Sequence, residues 1–455
     1  AYAMLEKADP LAVAAEVTAG YHDENPLTEV ELDVLFDLIC MRLCTSVCMA
    51  AHQQALAPEN EYLTITQVPA WRLLAQLRAV DVEYARGVLR GACGLEPFPK
   101  TLALVDWLAE NRASMASVLP FDLTSPETLV LDLSVGSLML SGADVDVGLP
   151  ALTALIDGAM AAAGAQVAIG RYDEARLLYR TEQFTCASDA LPERRTVHLG
   201  VDLFAKPGTP VFSPLPATVE SVENNDELLD YGPTVILRHE SPAGPFYTLY
   251  GHLDMATLGR CQPGQKIAAG EPIGAIGDSS GNGGWPPHLH FQIITELLGE
   301  TGNFPGVASP ADRHVWTSLC PDPNLMLCIP ETCFPTPGRS TSQIIDRRQI
   351  RLGKSLSLSY RRPLHMVRGW RQHLYDIDGR AYLDVVNNVC HVGHCHPHVV
   401  QAGQRQLGVL NTNTRYLHDN IVDYAERLLA EFPDPLNVVF FVCSGSEANE
   451  LALRM

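Results

Sequence analysis

The chain has 455 residues, a formal net charge of -21, 47% hydrophobic residues and 19% charged ones. That length allows about three domains, each with its own core, and the balance is that of globular protein, neither disordered nor fibrous. A field this negative repels phosphate backbones, which argues against nucleic acid or an anionic membrane as the main partner.

No apolar run is expected to reach the roughly 18 residues of a membrane span. The most apolar stretch, "LPALTALIDGAMAAAGAQ", is interrupted by Asp157. The N-terminus "AYAMLEKADPL" shows no basic region, apolar segment and cleavage site in that order, so a soluble, cytoplasmic protein is expected. It also lacks an initiator Met, and "SGSEANELALRM" stops where a helix has just begun, so the chain is expected to be a piece of a longer protein. Twelve cysteines without a CxxC pair do not read as a disulfide framework. They are expected to be reduced and mostly buried, with Cys40, Cys44 and Cys48 on one helical face as small core residues.

Residues 1–115 read as helical. "LTEVELDVLFDLICMRLCTSVCMAAHQQAL" opens with Thr28 and Glu31 in capping-box spacing, and "AWRLLAQLRAV" and "VEYARGVLRGACGL" follow. "YHDEN", Tyr21 to Asn25, precedes Pro26 and reads as a solvated helix connection. In "YHDENPLTEVELDVLF" and "ACGL" this segment resembles the C-terminal part of the helical lobe of aminoglycoside phosphotransferase-like and choline kinase-like enzymes. The catalytic-loop Asp with its following Asn, and the metal-binding Asp near DFG, have no counterpart. The resemblance therefore implies an inactive remnant whose catalytic part lies upstream of Ala1.

Residues 116–190 mix a strand-like "ETLVLDLSVGSLML", a helical "LPALTALIDGAMAAAG" and a strand-like "ARLLYRTEQF". From about 195 to 300 short β-runs punctuated by Pro and Gly predict an all-β domain, and "CIPETCFPTPGRSTS", residues 328–342, predicts a linker.

Within the β segment, "RRTVHLGVDLF" places His198 four residues before Asp202, and "PPHLHFQII" places His288 and His290 on one face of a strand. His198, Asp202 and one of that pair would give the three N/O ligands of a catalytic zinc site with its fourth position open. "YTLYGHLD" adds His252 where a strand ends. For any single histidine a local hydrogen bond is the plainer reading; four inside one β domain favour a cluster.

"HLGVD", "YTLYGHL", "CQPGQKIAAGEPIGAIG" and "PHLHF" occur in the order seen in lysostaphin-type and LytM-type zinc endopeptidases, which cut peptide cross-links of bacterial cell walls. The resemblance covers about residues 195–300. It implies that His198, Asp202 and His290 bind Zn²⁺ and that His252 and His288 flank the water on the metal. Which of those two takes the proton and which steadies the oxyanion stays open. Trp285 and Pro286, in place of the small polar residues family members often carry, put substrate preference in doubt.

The densest His/Cys run, "CHVGHCHPHVV", is not expected to bind metal, because Pro397 starts a helix and neither a carboxylate nor a distant Cys completes a pattern. "HLYDIDGRAYLDVV" predicts a hairpin turning at Asp378 and Gly379, and "NVVFFVCSGSEANELAL" a buried strand, a turn and a helix. Over residues 345–455, "YLDVVNNVCHVGHCHP", "LNTNTRYLH" and "SGSEANELALR" resemble the N-terminal part of class III, fold-type I aminotransferases. The resemblance implies that Gly445 and Ser446 hold the phosphate of pyridoxal 5'-phosphate. Lys354 is the sole lysine after Lys266 and lies before that turn, so the cofactor is expected in the full-length protein only.

The expected architecture is multidomain. A helical kinase-like remnant spans 1–115, and a β-rich metallopeptidase-like domain spans 116–310 with its core at 195–300. A partial α/β aminotransferase segment spans 345–455. The order resembles bacterial fusion proteins related to ethanolamine-phosphate phospho-lyases. Zinc-dependent hydrolysis of a peptide or peptidoglycan-like substrate is the expected activity; the alternative is a non-proteolytic metal- or ligand-binding module. Oligomer formation is possible in the full-length protein.

Overall fold

The structure, a computed structural model, describes residues 1–455 except 61, 63, 64, 141–147, 180, 189–192, 337 and 388–390. The chain divides into two compact units, Ala1–Cys395 and His396–Met455.

The first unit opens with five α-helices, Pro10–Glu24, Glu29–Leu56, Gln67–Arg78, Val82–Ala92 and Lys100–Asn111. Asp9 caps the first. The second carries the capping box read from the sequence: Thr28 accepts from the Glu31 amide, and the Glu31 carboxylate reaches back to the Thr28 amide at 2.8 Å. Tyr21 to Glu24 are not a connection but the last turn of the first helix, where His22 Nδ1 accepts the Leu27 amide at 3.0 Å. Leu32, Phe36, Leu43 and Val47 are the buried residues of the second helix, and the last three share a core with Leu11, Leu73, Leu77 and Leu89. Each such side chain contributes about 1.5–3 kcal/mol on burial.

Contrary to expectation, Glu29–Leu56 is long and apolar enough, by length and composition alone, to cross a membrane, and 22% of its most apolar window is buried. Asp37 and Arg42 within it hide that length from a reading that stops at charges. The cysteines depart too. All eleven described are free, but only Cys261 and Cys320 are buried, and Cys44 and Cys48 are exposed because the helix turns its Leu, Phe and Val stripe inward instead.

The β-rich part is built on an eight-stranded sheet. Its spatial order is Leu129–Val130, Ala168–Gly170, Val201–Phe204, His288–Ile294, Gly244–Gly251, Gly232–Ser241, Ala217–Asn225 and Lys266–Ile267. All neighbours are antiparallel except the first two strands. Period-two alternation gives the sheet two faces. Leu289, Phe291 and Ile293 enter the main core with Val201, Leu203, Val235, Leu237 and Tyr250, and Leu104 and Leu108 of the fifth helix join them. The residues between, Asp202, His288, His290 and Gln292, are turned to the opposite face.

Of "ETLVLDLSVGSLML" only Leu129–Val130 is strand. Its serines and Asp132 bond local backbone instead, Ser134 N to Asp132 Oδ1 at 3.1 Å and Met139 N to Ser137 Oγ at 3.1 Å, which competes with a ladder. The expected helix forms as Leu149–Ala163, with Leu152 and Ile156 packed on Ala168 and Phe204. "ARLLYRTEQF" forms no strand among its described residues either: Ala175 makes an isolated bridge to Val197, and Glu182–Phe184 is a 3-10 turn. The hairpin at Asp378 and Gly379 is present, His373–Asp376 against Ala381–Leu383, with Met366–Trp370 as a third strand.

In the second unit, helices span Pro397–Val409, Asp419–Leu429 and Gly445–Arg454. The expected buried strand in "NVVFFV" is absent among the described residues. Val438, Phe440 and Phe441 are exposed, and no neighbouring strand is there to pair with them.

Candidate metal centre

Strand register brings the site together. Val201–Phe204 and His288–Ile294 pair with Asp202 opposite His290 and Phe204 opposite His288, so the three polar side chains share a face. Gly251 lies across from His290 on the other neighbouring strand, which delivers His252 next to the pair. His198 comes from the short Val197–His198 strand, opposite Val307. The rings approach so closely that Gly200 is required: a Cβ there would lie 2.5 Å from His290 Cε1.

Three atoms form a triangle: His198 Nε2 to Asp202 Oδ1 3.1 Å, His198 Nε2 to His290 Nδ1 3.1 Å, and His290 Nδ1 to Asp202 Oδ1 3.3 Å. Ligands on a tetrahedral zinc at about 2.0–2.1 Å are separated by about 3.3–3.4 Å, close to these edges. Hydrogen bonding on the far side fixes which nitrogen faces inward. His198 Nδ1 meets the Arg171 carbonyl at 2.9 Å, so it carries the proton and Nε2 is a lone pair. His290 Nε2 meets Gln292 Oε1 at 2.9 Å, and that amide is oriented by its own donation to the Pro305 carbonyl at 3.1 Å, so His290 Nδ1 is a lone pair too. Two imidazole lone pairs and a carboxylate oxygen thus point at one another, an arrangement that calls for a cation at its centre. The residues fit zinc.

The other two histidines follow the same rule. His288 Nδ1 donates to the Pro286 carbonyl at 2.6 Å and its Nε2 stands 3.5 Å from Asp202 Oδ1. His252 Nδ1 donates to the Asn282 carbonyl at 2.9 Å, and its ring lies 4.3 Å from that of His288. His252 has a left-handed backbone, φ +63°, held by its amide bond to the Tyr231 carbonyl at 2.8 Å. Such a conformation in a non-glycine residue is kept where the surroundings over-determine it.

Burial sets the electrostatics. It lowers the pKa of His252 well below the ordinary imidazole range, lowers that of His288, and lowers that of His198, which Arg176 also faces, to about 4. Burial alone would raise Asp202, but His198, His288 and Arg176 facing it hold its carboxyl well below the usual range. The outcome is an ionised Asp202 beside neutral His198, His252 and His288, the protonation state a metal site needs.

A cavity of about 320 Å³ opens over the triangle. Tyr179, Phe184, Tyr231, Trp285 and Phe304 line it, and Leu133, Leu152 and Leu178 close it from the segment before the β domain. The Tyr231 hydroxyl is buried with no hydrogen-bond partner among the described residues. Sequence reasoning missed Tyr231, Arg176 and Gln292. Gln292 had a signal, standing two residues beyond His290 on the same strand face; Arg176 showed only as a charge inside the apolar run "ARLLY".

Among the described residues the His198, Asp202 and His290 group alone has metal-holding geometry. In "CHVGHCHPHVV" the first cysteine lies outside the described residues, and Pro397 does start a helix. His394 has a carboxylate partner after all, Asp384 at 2.6 Å, with no third ligand beside them among the described residues. Gly445 and Ser446 are the first two residues of the Gly445–Arg454 helix in the second unit. Glu447 accepts the Cys443 and Ser444 amides there, at 2.8 and 3.0 Å.

Residues 196–301 match the model of Peptidase family M23, and residues 359–455 match that of Aminotransferase class-III. The chain carries an M23 peptidase domain and a segment of a class III aminotransferase. For the latter, the alanine–glyoxylate aminotransferase 2-like protein of Drosophila melanogaster is 50% identical over 117 residues, 26% of this chain and 24% of that protein. A phospholyase from Arthrobacter, solved in complex with phosphoethanolamine, is 48% identical over 24% of this chain and 26% of its own, with a TM-score of 0.24. A zinc containing peptidase from Vibrio cholerae is 29% identical over 22% of this chain and 28% of its own, with a TM-score of 0.19. The chain spans about a quarter of the length of the curated relatives it matches. The M23 match contains all five clustered histidine and aspartate residues.

Proposed function

We propose that the M23 domain is a zinc-dependent peptide hydrolase in which His198, Asp202 and His290 hold the metal. The observation that carries this reading is the triangle of inward lone pairs 3.1 to 3.3 Å apart. When bound, zinc polarises a carbonyl and makes water acidic near neutral pH. His252 and His288, each with Nδ1–H committed to a backbone carbonyl, present Nε2 lone pairs to the same space. Either can take the proton from the attacking water and return it to the leaving amine. The unpaired Tyr231 hydroxyl is placed to donate to the oxygen that gains charge. The substrate class, a peptide of the kind that cross-links peptidoglycan, comes from the lysostaphin-type resemblance.

The three-part division at 1–115, 116–310 and 345–455 belongs to the same reading, with the helical lobe as a kinase-like remnant of a bacterial fusion protein. So does the assignment of Gly445 and Ser446 to a cofactor phosphate. Lys354, the sole lysine after Lys266, precedes that turn.

A second reading, a non-proteolytic module for a small ligand, is favoured by enclosure. His198, Asp202, His252, His288 and His290 are all 2 to 5% exposed, and the cavity is at the lower end of small-molecule sites. The test is hydrolysis by the full chain of soluble peptidoglycan fragments and of free dipeptides, with zinc and after chelation. Zinc-dependent cleavage of the fragments supports the first reading. Cleavage of neither substrate by a zinc-loaded chain would favour the second.

A further inference from the structure

Two of the three ligand side chains are held from outside the residues that match the peptidase family. The Ala168–Gly170 strand pairs with Val201–Phe204, with Gly170 opposite Asp202, and leads into Arg171, Glu174 and Arg176. Gly170 leaves room for this approach: a Cβ there would lie 2.9 Å from Arg176 Nη2 and 3.1 Å from Asp202 Cβ.

All three faces of the Arg176 guanidinium are committed. Nη1 donates to Asp202 Oδ2 at 2.6 Å, Nε to Glu174 Oε2 at 2.7 Å, and Nη2 to the Arg171 carbonyl at 3.1 Å. That carbonyl is the one that accepts His198 Nδ1–H. Glu174 Oε1 in turn accepts Arg171 Nε at 2.8 Å and the Leu133 amide at 3.1 Å, and Arg171 ends on Asp132. The charges alternate along the series Asp202, Arg176, Glu174, Arg171, Asp132. The side chains of Arg176, Glu174 and Asp202 are only 2, 3 and 5% exposed, so little solvent screens them.

A buried carboxylate with both oxygens free can chelate a metal through both, which would use up the position a water needs. With Oδ2 tied to a rigid guanidinium fork, Oδ1 alone faces the imidazoles. Resting on the zinc-centre reading above, we infer that Arg176, braced by Glu174 and the Arg171 carbonyl, is a positioning residue of the metal centre: it fixes Asp202 as a one-oxygen ligand and shares the anchor that orients the His198 ring. The segment before the matched domain is therefore part of the site, as partners behind metal ligands generally are.

The test uses the full chain, stripped of metal, titrated with zinc against a chelating indicator and with cobalt followed by its visible absorption. Arg176→Met is expected to lose about 10- to 100-fold in zinc affinity and to shift the cobalt bands as Asp202 turns both oxygens inward. Arg176→Lys, with a single point contact, recovers part of the affinity while keeping an altered spectrum. Arg90→Met is the control, removing a buried arginine paired with Glu29 at 2.9 Å and Asp33 at 3.2 Å far from the site, and it keeps wild-type affinity and spectrum. If Arg176→Met does not fold, the Lys variant carries the comparison. Unchanged affinity and spectrum in the folded Arg176 variant, or an equal loss in Arg90→Met, overturns the inference while leaving the zinc reading standing. A wild-type chain that takes up neither ion removes the zinc reading itself.

Discussion

His252 differs from the ligand trio in one respect that decides its role: no acceptor of the triangle lies within bonding distance of its ring, which packs at a tilt of 40° against His288, the centroids 4.3 Å apart. The His252→Ala variant is therefore expected to retain its zinc while losing peptide hydrolysis by about 100-fold or more, the usual size of a proton-transfer contribution. Loss of the metal in that variant would move His252 into the ligand set. A residue away from the site sets a pH limit on the fold. His239 is buried between the Pro216 carbonyl at 3.0 Å and Thr248 Oγ1 at 2.8 Å, and burial lowers its pKa from 6.5 to about 4. Its folded value lies below the unfolded one, so the stability that goes with neutral His239 is full above pH 6.5 and is lost as pH falls toward about 4. The slope approaches about 1.4 kcal/mol per pH unit. Urea unfolding of the wild type and His239→Gln between neutral pH and about pH 5 should show the shallower dependence in the variant; parallel slopes would contradict this.

The elements that carry the site are two antiparallel strands whose register puts Asp202 across from His290. Gly200, just before the first of them, keeps the His290 ring in place by having no side chain. Gly200→Ala should cost about tenfold or more in zinc affinity, and an unchanged affinity would show that the ring has slack. At this scale the sequence was readable where chemistry and periodicity coincide. His288 and His290 announce a shared face by spacing alone, and the Thr28 and Glu31 cap, the Leu149–Ala163 helix and the Asp378–Gly379 turn are local features that local residues dictate. What could not be read depends on distant partners. Arg176 looks like one charge in an apolar strand, since nothing local says that its fork spans Glu174, Asp202 and the Arg171 carbonyl. "NVVFFV" has strand composition, yet composition forms no strand where no neighbour supplies hydrogen bonds. The Glu29–Leu56 helix shows the converse: its apolar character continues past Asp37 and Arg42, and a search for unbroken apolar runs passes over it.

At the scale of the whole molecule, the M23 domain is not a self-contained block followed by an unrelated one. The hairpin that opens the aminotransferase match packs on its edge and on the residues that flank it: the Asp378 carbonyl accepts Thr196 Oγ1 at 2.6 Å, Arg313 reaches Asp378 at 3.1 Å, and Arg380 reaches Glu193 at 2.7 Å. Thr196 is two residues from His198, so the two matched families meet next to the metal centre. Lys354, the sole lysine after Lys266, precedes the Gly445 and Ser446 turn. Incubation with pyridoxal phosphate should give no stable absorbance band of a site-specific Schiff base, whereas a stoichiometric adduct abolished by changing Lys354 alone would refute that expectation. The metal triangle itself is open to elemental analysis of the purified full chain. The wild type is expected to hold about one zinc per chain, and His198→Ala or His290→Ala to retain none. Equal zinc in all three proteins, or none in the wild type, would contradict it.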